Sequence, residues 1–515
     1  MTSSPPWGPD SGQACTATVI GIDGYPVEAS AAITNGPPGL QILGLPDSGT
    51  RETRDRVRAA ILNSGQPWPS RAITVDLLPA SLPKRGSSFD LAIAVAVLTA
   101  SGVIPADAPQ GYVFVAELGL DGSLRPVRGV VPALLAAGDA GCTRAVVSAQ
   151  NAEEAATVPG LAVVACQSLR AVLAWLRGEP FAQEPGIPAP GTRAPAPGVP
   201  PVIRLSRLAV PPHTRQALEA SAAGGHHICL AGPRGARIPA LAAGLAALQP
   251  ALDSENVMEV TAIYSAAGLL GPGHALITRP PLRAPHHTAT RAAILGGGSG
   301  MIRPGEAALA HRGVLFLDQA PEFGRDVLAA LHQPLQVGEV TVARAGTTVR
   351  FPAKFTLVAG MAPCPCGAWP KCQCSPLGAR RYRARVAGEL GSHLAICLHA
   401  DPPSAAGGTG EPSADSDVTS AARVAAARDR ARYRFRGTPW QVNAEIPGAE
   451  LRRYYAPPAE ADAPLRRALD LGEISPRAAH QVIRVAWTLT DLAGNTRPGP
   501  HECRQALAFH LGTAQ

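Results

Sequence analysis

Lysine is almost missing from this sequence. Of its 46 basic residues only Lys84, Lys354 and Lys371 are lysine. An ammonium group therefore has few places to act. Long apolar runs are missing too. The longest, such as Leu91–Ala100 and Ile238–Leu248, are too short to cross a bilayer. Residues 1–14 lack the basic start and apolar centre of an export signal. Together these absences predict a cytoplasmic protein without a membrane partner. The ten cysteines are then expected to be reduced thiols and not a disulfide framework. Aromatic residues are sparse at 4%. The charge excess is mild, +7, which is compatible with nucleic acid without selecting it.

Glycine (53) and proline (52) are plentiful, as expected of a chain with linkers and many turns. A length of 515 residues predicts several domains, each able to fill a core. Residues 1–178 read as an alternating α/β domain. Strands are expected at Thr16–Ile20, Val27–Ile33, Leu40–Gly44 and Ile73–Leu78, and helices at Thr50–Asn63, capped by Ser48, and Phe89–Ala100. Turns at Gly21–Tyr25 and Asp121-Gly122 mark two hairpins. Residues 179–202 are rich in Pro, Ala and Gly and form a linker. A second α/β region fills 203–401, and a flexible break covers 402–418. Residues 419–515 are helical by pattern, with a start at Ser475-Pro476 and a stop at Gly494.

One stretch organises the centre of the chain. Ile228–Ala231 is a short apolar strand, Gly232–Arg237 a glycine-bearing turn, and Ala240–Leu248 a helical pattern. Strand, tight loop and helix form the frame of a phosphate-binding loop, which needs G-x-x-x-x-G-K-[ST]. Gly232, Pro233 and Gly235 suit such a loop, but Arg237 replaces its second glycine, Ile238 its lysine and Pro239 its hydroxyl. No lysine lies nearby in sequence to take over. Pro239 can neither ligate Mg²⁺ nor offer an N–H to phosphate.

Residues 282–323 read LRAPHHTATRAAILGGGSGMIRPGEAALAHRGVLFLDQAPEF. With GIDGYPVE, RETRDRVRAAILNSG, KRGSSFDLAIAVAVL, AAGGHH, NAEIPGAELRR and SPRAAHQVIRVAWTLTDLAG, they span essentially the whole chain. In these segments the sequence resembles the magnesium-chelatase-like (ChlI-subunit-like) AAA+ ATPases of the YifB/ComM type. The resemblance implies a fold of α/β class: a Lon-protease-like (ribosomal S5 domain 2-like) N-terminal domain, a P-loop AAA+ domain and a helical C-terminal lid. It further implies ATP with Mg²⁺ as cofactor, assembly into a homo- or hetero-oligomeric ring, and ATP-driven branch migration of DNA in recombination.

The same resemblance shows what has changed. Val314–Leu317 followed by Asp318 matches the Walker B strand, but the family's water-polarising glutamate is Gln319 here. An amide orients water and cannot take its proton. Ala362 stands for the sensor asparagine and His393 for the arginine finger. Arg477, in SPRAAHQ, keeps the position of the lid's second sensor. In other nucleotide hydrolases the finger alone is worth roughly 10³–10⁵ in rate. The expectation is a DNA-associated pseudo-ATPase whose nucleotide residues (Gly232, Pro233, Gly235, Arg237, Ile238, Pro239 and Arg477) and catalytic residues (Asp318 and Gln319) form a degenerate site. Two alternatives stay open: a working ATPase or DNA helicase with an unorthodox site, and a protein-binding scaffold.

Other clusters follow. Ser88 lies where Lon-type proteases carry their nucleophile, but Gly129–Ala140 offers no lysine base. A helix cap is the better reading, and no protease activity is expected. Cys364, Cys366, Cys372 and Cys374 form C-x-C-x₅-C-x-C. Structural zinc and four reduced thiols are both open readings. His286 and His287 suit local hydrogen bonding better than metal or DNA. Arg380, Arg381, Arg383 and Arg385 are candidates for nucleic-acid phosphate contacts, with a solvated helix face as the alternative.

Overall fold

The computed structural model describes residues 10–180, 205, 210–270 (Arg234 excepted), 276–298, 302–344, 347–368, 372–400 and 414–513. The expected linkers at 179–202 and 402–418 lie, at 181–202 and 402–413, outside the described residues.

Two central sheets carry the architecture. The first has seven strands in the order Gly39–Leu43, Ala72–Leu78, Asp23–Thr34, Ser11–Ile20, Tyr112–Val115, Arg144–Ser148, Ala162–Cys166. Ser11–Ile20 and Asp23–Thr34 form the expected hairpin, closing at Ile20↔Asp23. Asp23–Thr34 is also antiparallel to Ala72–Leu78. All other pairings are parallel. Apart from Asp90 and Thr99 the helix Asp90–Ala100 is apolar all round, and it is buried along its whole length, as a helix without a polar face must be. It packs on one side of the sheet with Asp47–Asn63 and Leu169–Leu176. Asp90 is fully buried and held by Arg56, whose Nε donates to Oδ2 at 2.6 Å.

The second sheet is all parallel. Its order is Leu282–Arg283, Val314–Leu317 (the aspartate strand), Thr356–Met361 (the central strand), Ile228–Ala231 (the loop strand) and Ile396–His399 (the edge strand). These strands read as continuous apolar runs because helices cover both faces. On one face Val314, Phe316 and Val358 join one core with the helices Pro212–Gly224, Ile238–Leu248, Ala414–Arg434 and Pro476–Ala493. The C-terminal helices thus share their core with the sheet. Ser475 caps the helix Pro476–Ala493 through Ala478 N–H, and Gly494 ends it in the left-handed conformation, both as the sequence predicts.

The two sheet bodies are packed together. Helix Val130–Asp139 lies on the second face of the first sheet, and Ala262, from helix Ser254–Ala267, enters the same core. Gly129 N–H donates to Ser265 O at 3.0 Å. Ser265 Oγ donates to Glu154 and accepts from Val131 N–H.

Candidate functional site

Parallel strands bring the candidate loop and the candidate aspartate to one end of the second sheet. Gly232 and Asp318 each follow the last residue of a strand, and the central strand runs between them. Gly232 is required by contact: a Cβ there would lie 2.6 Å from Ala400 O. Its N–H donates to Met361 O at 3.1 Å, and Ala236 N–H donates to Pro233 O at 3.1 Å. Pro233 and Pro239 have no N–H. Four of the groups that would cradle a phosphate are therefore committed or missing. Gly235 is left-handed at φ +96°, and so is Arg237 at φ 52°. Arg237 holds the glycine position by adopting a conformation that costs a side-chain-bearing residue about 1–2 kcal/mol. Its side chain is exposed, and it sits at the N-cap of the helix Ile238–Leu248.

Ile238 turns the other way. It is 9% exposed and belongs to the core with Leu241, Phe316 and Val358. The lysine position of the motif has become a packing position. On the aspartate strand, Asp318 Oδ1 accepts the Gln319 N–H at 3.0 Å. Gln319 is exposed, left-handed at φ 52°, and opens the short turn Ala320–Glu322.

His393 and Arg477 are not brought to this loop in the same chain. His393 precedes the edge strand, at the sheet's amino end, where Ala395 and Ile396 donate to His227 O. It is buried, with Nε2 2.9 Å from His332 Nδ1. Burial, followed by the charges of Arg477 and His332, pulls its pKa down to about 4. Gln481, one turn beyond Arg477, donates to Ser392 O at 2.7 Å. His393 and Arg477 line a cleft of about 740 Å³ with His227, Arg312, Arg428 and Arg484. Sequence reasoning did not place this cleft, because its lining comes from separate segments.

The four cysteines converge. Their sulfurs all lie within 4.8 Å of one another, with Cys364–Cys372 at 3.2 Å, Cys364–Cys366 at 3.3 Å and Cys366–Cys372 at 3.6 Å. Four sulfurs around tetrahedral zinc sit about 3.8 Å apart, given Zn–S bonds of about 2.3 Å, so the cluster suits a small thiophilic cation. The Ala368 N–H, with neighbouring thiols, draws the Cys366 thiol down to about 6, while burial and the neighbouring thiols push Cys364 up. The thiolates a metal requires are thus favoured at Cys366 and opposed at Cys364.

Ser375, next in sequence, caps the helix Pro376–Glu389 through Gly378 N–H at 3.1 Å. Arg380, Arg381, Arg383 and Arg385 are all exposed on it. Arg385 donates to Pro321 O at 3.2 Å, beside the turn that follows Asp318. Glu389 pairs with Arg325 instead, at 2.8 Å. None of the four arginines forms an ion pair among the described residues.

The remaining candidates have local roles. His286 Nδ1 lies 2.8 Å from Thr288 Oγ1, in keeping with local bonding. Arg283 grips Glu306 through two bonds of 2.6 and 2.8 Å, joining the R-A-P-H-H and P-G-E segments. Ser88 does not cap the helix Asp90–Ala100: Phe89 is its N-cap, without a side-chain cap. Ser87 donates to Glu117 instead. Lys84 is buried, with Nζ bonded to Pro79 O at 2.6 Å.

Comparison with known proteins agrees with this frame. Family models described as "Subunit ChlI of Mg-chelatase", "Magnesium chelatase, subunit ChlI" and "Magnesium chelatase, subunit ChlI C-terminal" match residues 27–151, 205–406 and 414–510. An uncharacterised protein of Mycobacterium tuberculosis is 43% identical over 97% of this chain and 98% of its own length. The YifB protein of Escherichia coli is 34% identical over 93% of this chain and 92% of its own. The competence protein ComM of Haemophilus influenzae is 34% identical over 95% of each. With an α/β sheet organised this way and relatives matched along nearly their full length, the chain belongs to the magnesium-chelatase-like YifB/ComM family.

Proposed function

We propose that this protein is a nucleotide-degenerate member of its family: it keeps the AAA+ frame, joins a ring and does not hydrolyse ATP. The observation that carries the reading is Ile238, at the position of the loop lysine, buried in the core beside Phe316. Phosphoryl transfer to water rests on positioning and charge neutralisation. Here the lysine, the metal hydroxyl, the base, the sensor and the finger are Ile238, Pro239, Gln319, Ala362 and His393. In this reading residues 1–178 form the Lon-like domain, 203–401 the AAA+ domain and 419–515 the lid.

Ring assembly is supported by the place of His393 and Arg477. Both lie at the amino end of the sheet, away from their own loop, so they reach a nucleotide site only in a neighbouring copy. The process we assign is DNA recombination in the cytoplasm, alongside an active paralogue. A relative named as a competence protein and four exposed arginines on one helix support it. Cys364, Cys366, Cys372 and Cys374 would hold zinc, which would brace the start of that helix.

Equilibrium binding of labelled ATP with Mg²⁺ to the full chain tests the reading. We expect weak binding at best, unaffected by Ile238→Ala. Tight Mg²⁺-dependent binding lost on Asp318→Ala would overturn it.

A further inference from the structure

Two thiols outside the tetrad also meet. Cys15 lies in the strand Ser11–Ile20, opposite Val113. Cys142 lies in the turn after helix Val130–Asp139, its N–H donated to Ala137 O at 3.0 Å. They are 127 positions apart in the chain, and their sulfurs are 3.6 Å apart. Both are half-buried, and both line a groove of about 530 Å³ with Glu28, Gln110 and Tyr112. Cys166, Cys229 and Cys503 differ: they are buried, and burial pushes their thiols up. They are inert core residues.

Geometry allows the pair to close. A disulfide needs about 2.05 Å between sulfurs, so one sulfur must travel about 1.5 Å. The turn that carries Cys142 has room to give: Gly141 is left-handed at φ +95°, and a Cβ there would meet nothing within 4 Å. The pair is also chemically unequal. Hydrogen bonding to Cys15 draws the Cys142 thiol down to about 7, while Cys15 is raised. A thiolate near neutral pH is the better attacker, and the second thiol stands ready to resolve.

We propose that Cys15 and Cys142 form a redox-active dithiol whose co-substrate is a low-molecular-weight disulfide of the glutathione class. The Cys142 thiolate attacks one sulfur of the small disulfide. That S–S bond breaks and the first small thiolate leaves, taking up a proton from water. Cys15 then gives its proton to solvent and attacks Cys142 Sγ, which expels the second small thiolate. The protein pair loses two electrons and two protons, and the small disulfide becomes two thiols. The product bridge ties the strand Ser11–Ile20 to the end of helix Val130–Asp139. The start of that helix is bonded to helix Ser254–Ala267, so oxidation would stiffen the joint between the two sheet bodies.

The test equilibrates the full chain with mixtures of reduced and oxidised glutathione, followed by acid quenching, alkylation and peptide mapping. Mapping separates this pair from the tetrad peptides. The expected result is loss of two alkylatable thiols, with the Cys15 and Cys142 peptides joined and the change reversed by reductant. In Cys15→Ala the glutathione adduct should stay on Cys142, and in Cys142→Ala neither the bridge nor an adduct on Cys15 should form. Full alkylation of both wild-type thiols at every ratio would overturn the proposal. So would a glutathione adduct that persists on Cys142 while Cys15 is present.

Discussion

Ile238 occupies the space that a side chain on Gly360 would need. A Cβ at position 360 would stand 2.9 Å from Ile238 Cγ2 and 2.9 Å from the Phe316 ring. The loop helix is therefore keyed into the sheet by an apolar side chain, at the position where a phosphate-binding loop presents its lysine.

Ile238→Lys should lower stability and leave ATP turnover at background. The lost apolar burial is about 2 kcal/mol, and the ammonium must escape the core to stay charged. Gly360→Ala should cost about 1–3 kcal/mol by overpacking against Ile238. Urea denaturation of both variants checks this. A lysine variant that is as stable as wild type and turns over ATP would contradict it.

Stability should fall on mild acidification. His226 and His227 are pulled down to about 3 and His393 to about 4, in each case mainly by burial. His227 Nδ1 accepts the Leu357 N–H at 3.0 Å, a bond that protonation destroys. Between about pH 4 and 6.5 the unfolded chain takes up these protons and the folded chain does not. Stability is therefore full above the unfolded value of 6.5 and lost as pH falls. Asp90 and Glu154, raised by burial, oppose the trend over part of the window, but three imidazoles outweigh them. Urea midpoints at pH 7 and pH 5 should differ, and by less in His227→Gln. An equal drop in both proteins would contradict the assignment.

Metal analysis of protein purified without added metal should find one zinc per chain, lost in Cys372→Ser. Chelation should lower the thermal midpoint, since an ion held there would brace the turn ahead of Ser375. Metal-free protein with an unchanged midpoint would leave four reduced thiols.

Single-stranded or branched DNA should bind at low salt without ATP. Phosphate contacts release counterions, so affinity should fall steeply with salt. Arg380→Ala with Arg381→Ala should reduce the log–log slope by about one unit per lost contact. Isotherms at several salt concentrations decide it. An unchanged slope would leave the helix as a solvated face and favour the protein scaffold.

Local signals were legible in the sequence. The hairpin at Gly21, the Ser475 cap and the left-handed Gly494 follow from turn and cap chemistry within a few residues. So does the strand–loop–helix at 228–248. Caps failed where alternatives were adjacent: Ser87 and Ser88 compete at one helix start, and Glu117, 30 positions away from Ser87, engages Ser87. Long-range partners were not legible. Nothing local links His332 to His393 or Cys15 to Cys142, because parallel crossovers decide which segments meet. The outward turn of Arg237 and the inward turn of Ile238 needed the backbone: φ 52° at Arg237 sets where the helix begins.

ATP turnover by the purified full chain, measured with Mg²⁺ and with and without branched DNA, tests the central claim most directly. The account predicts no release of phosphate above that of the Asp318→Ala variant. Turnover of about 1 s⁻¹ per subunit, within the ordinary enzyme range and abolished by Asp318→Ala, would contradict it.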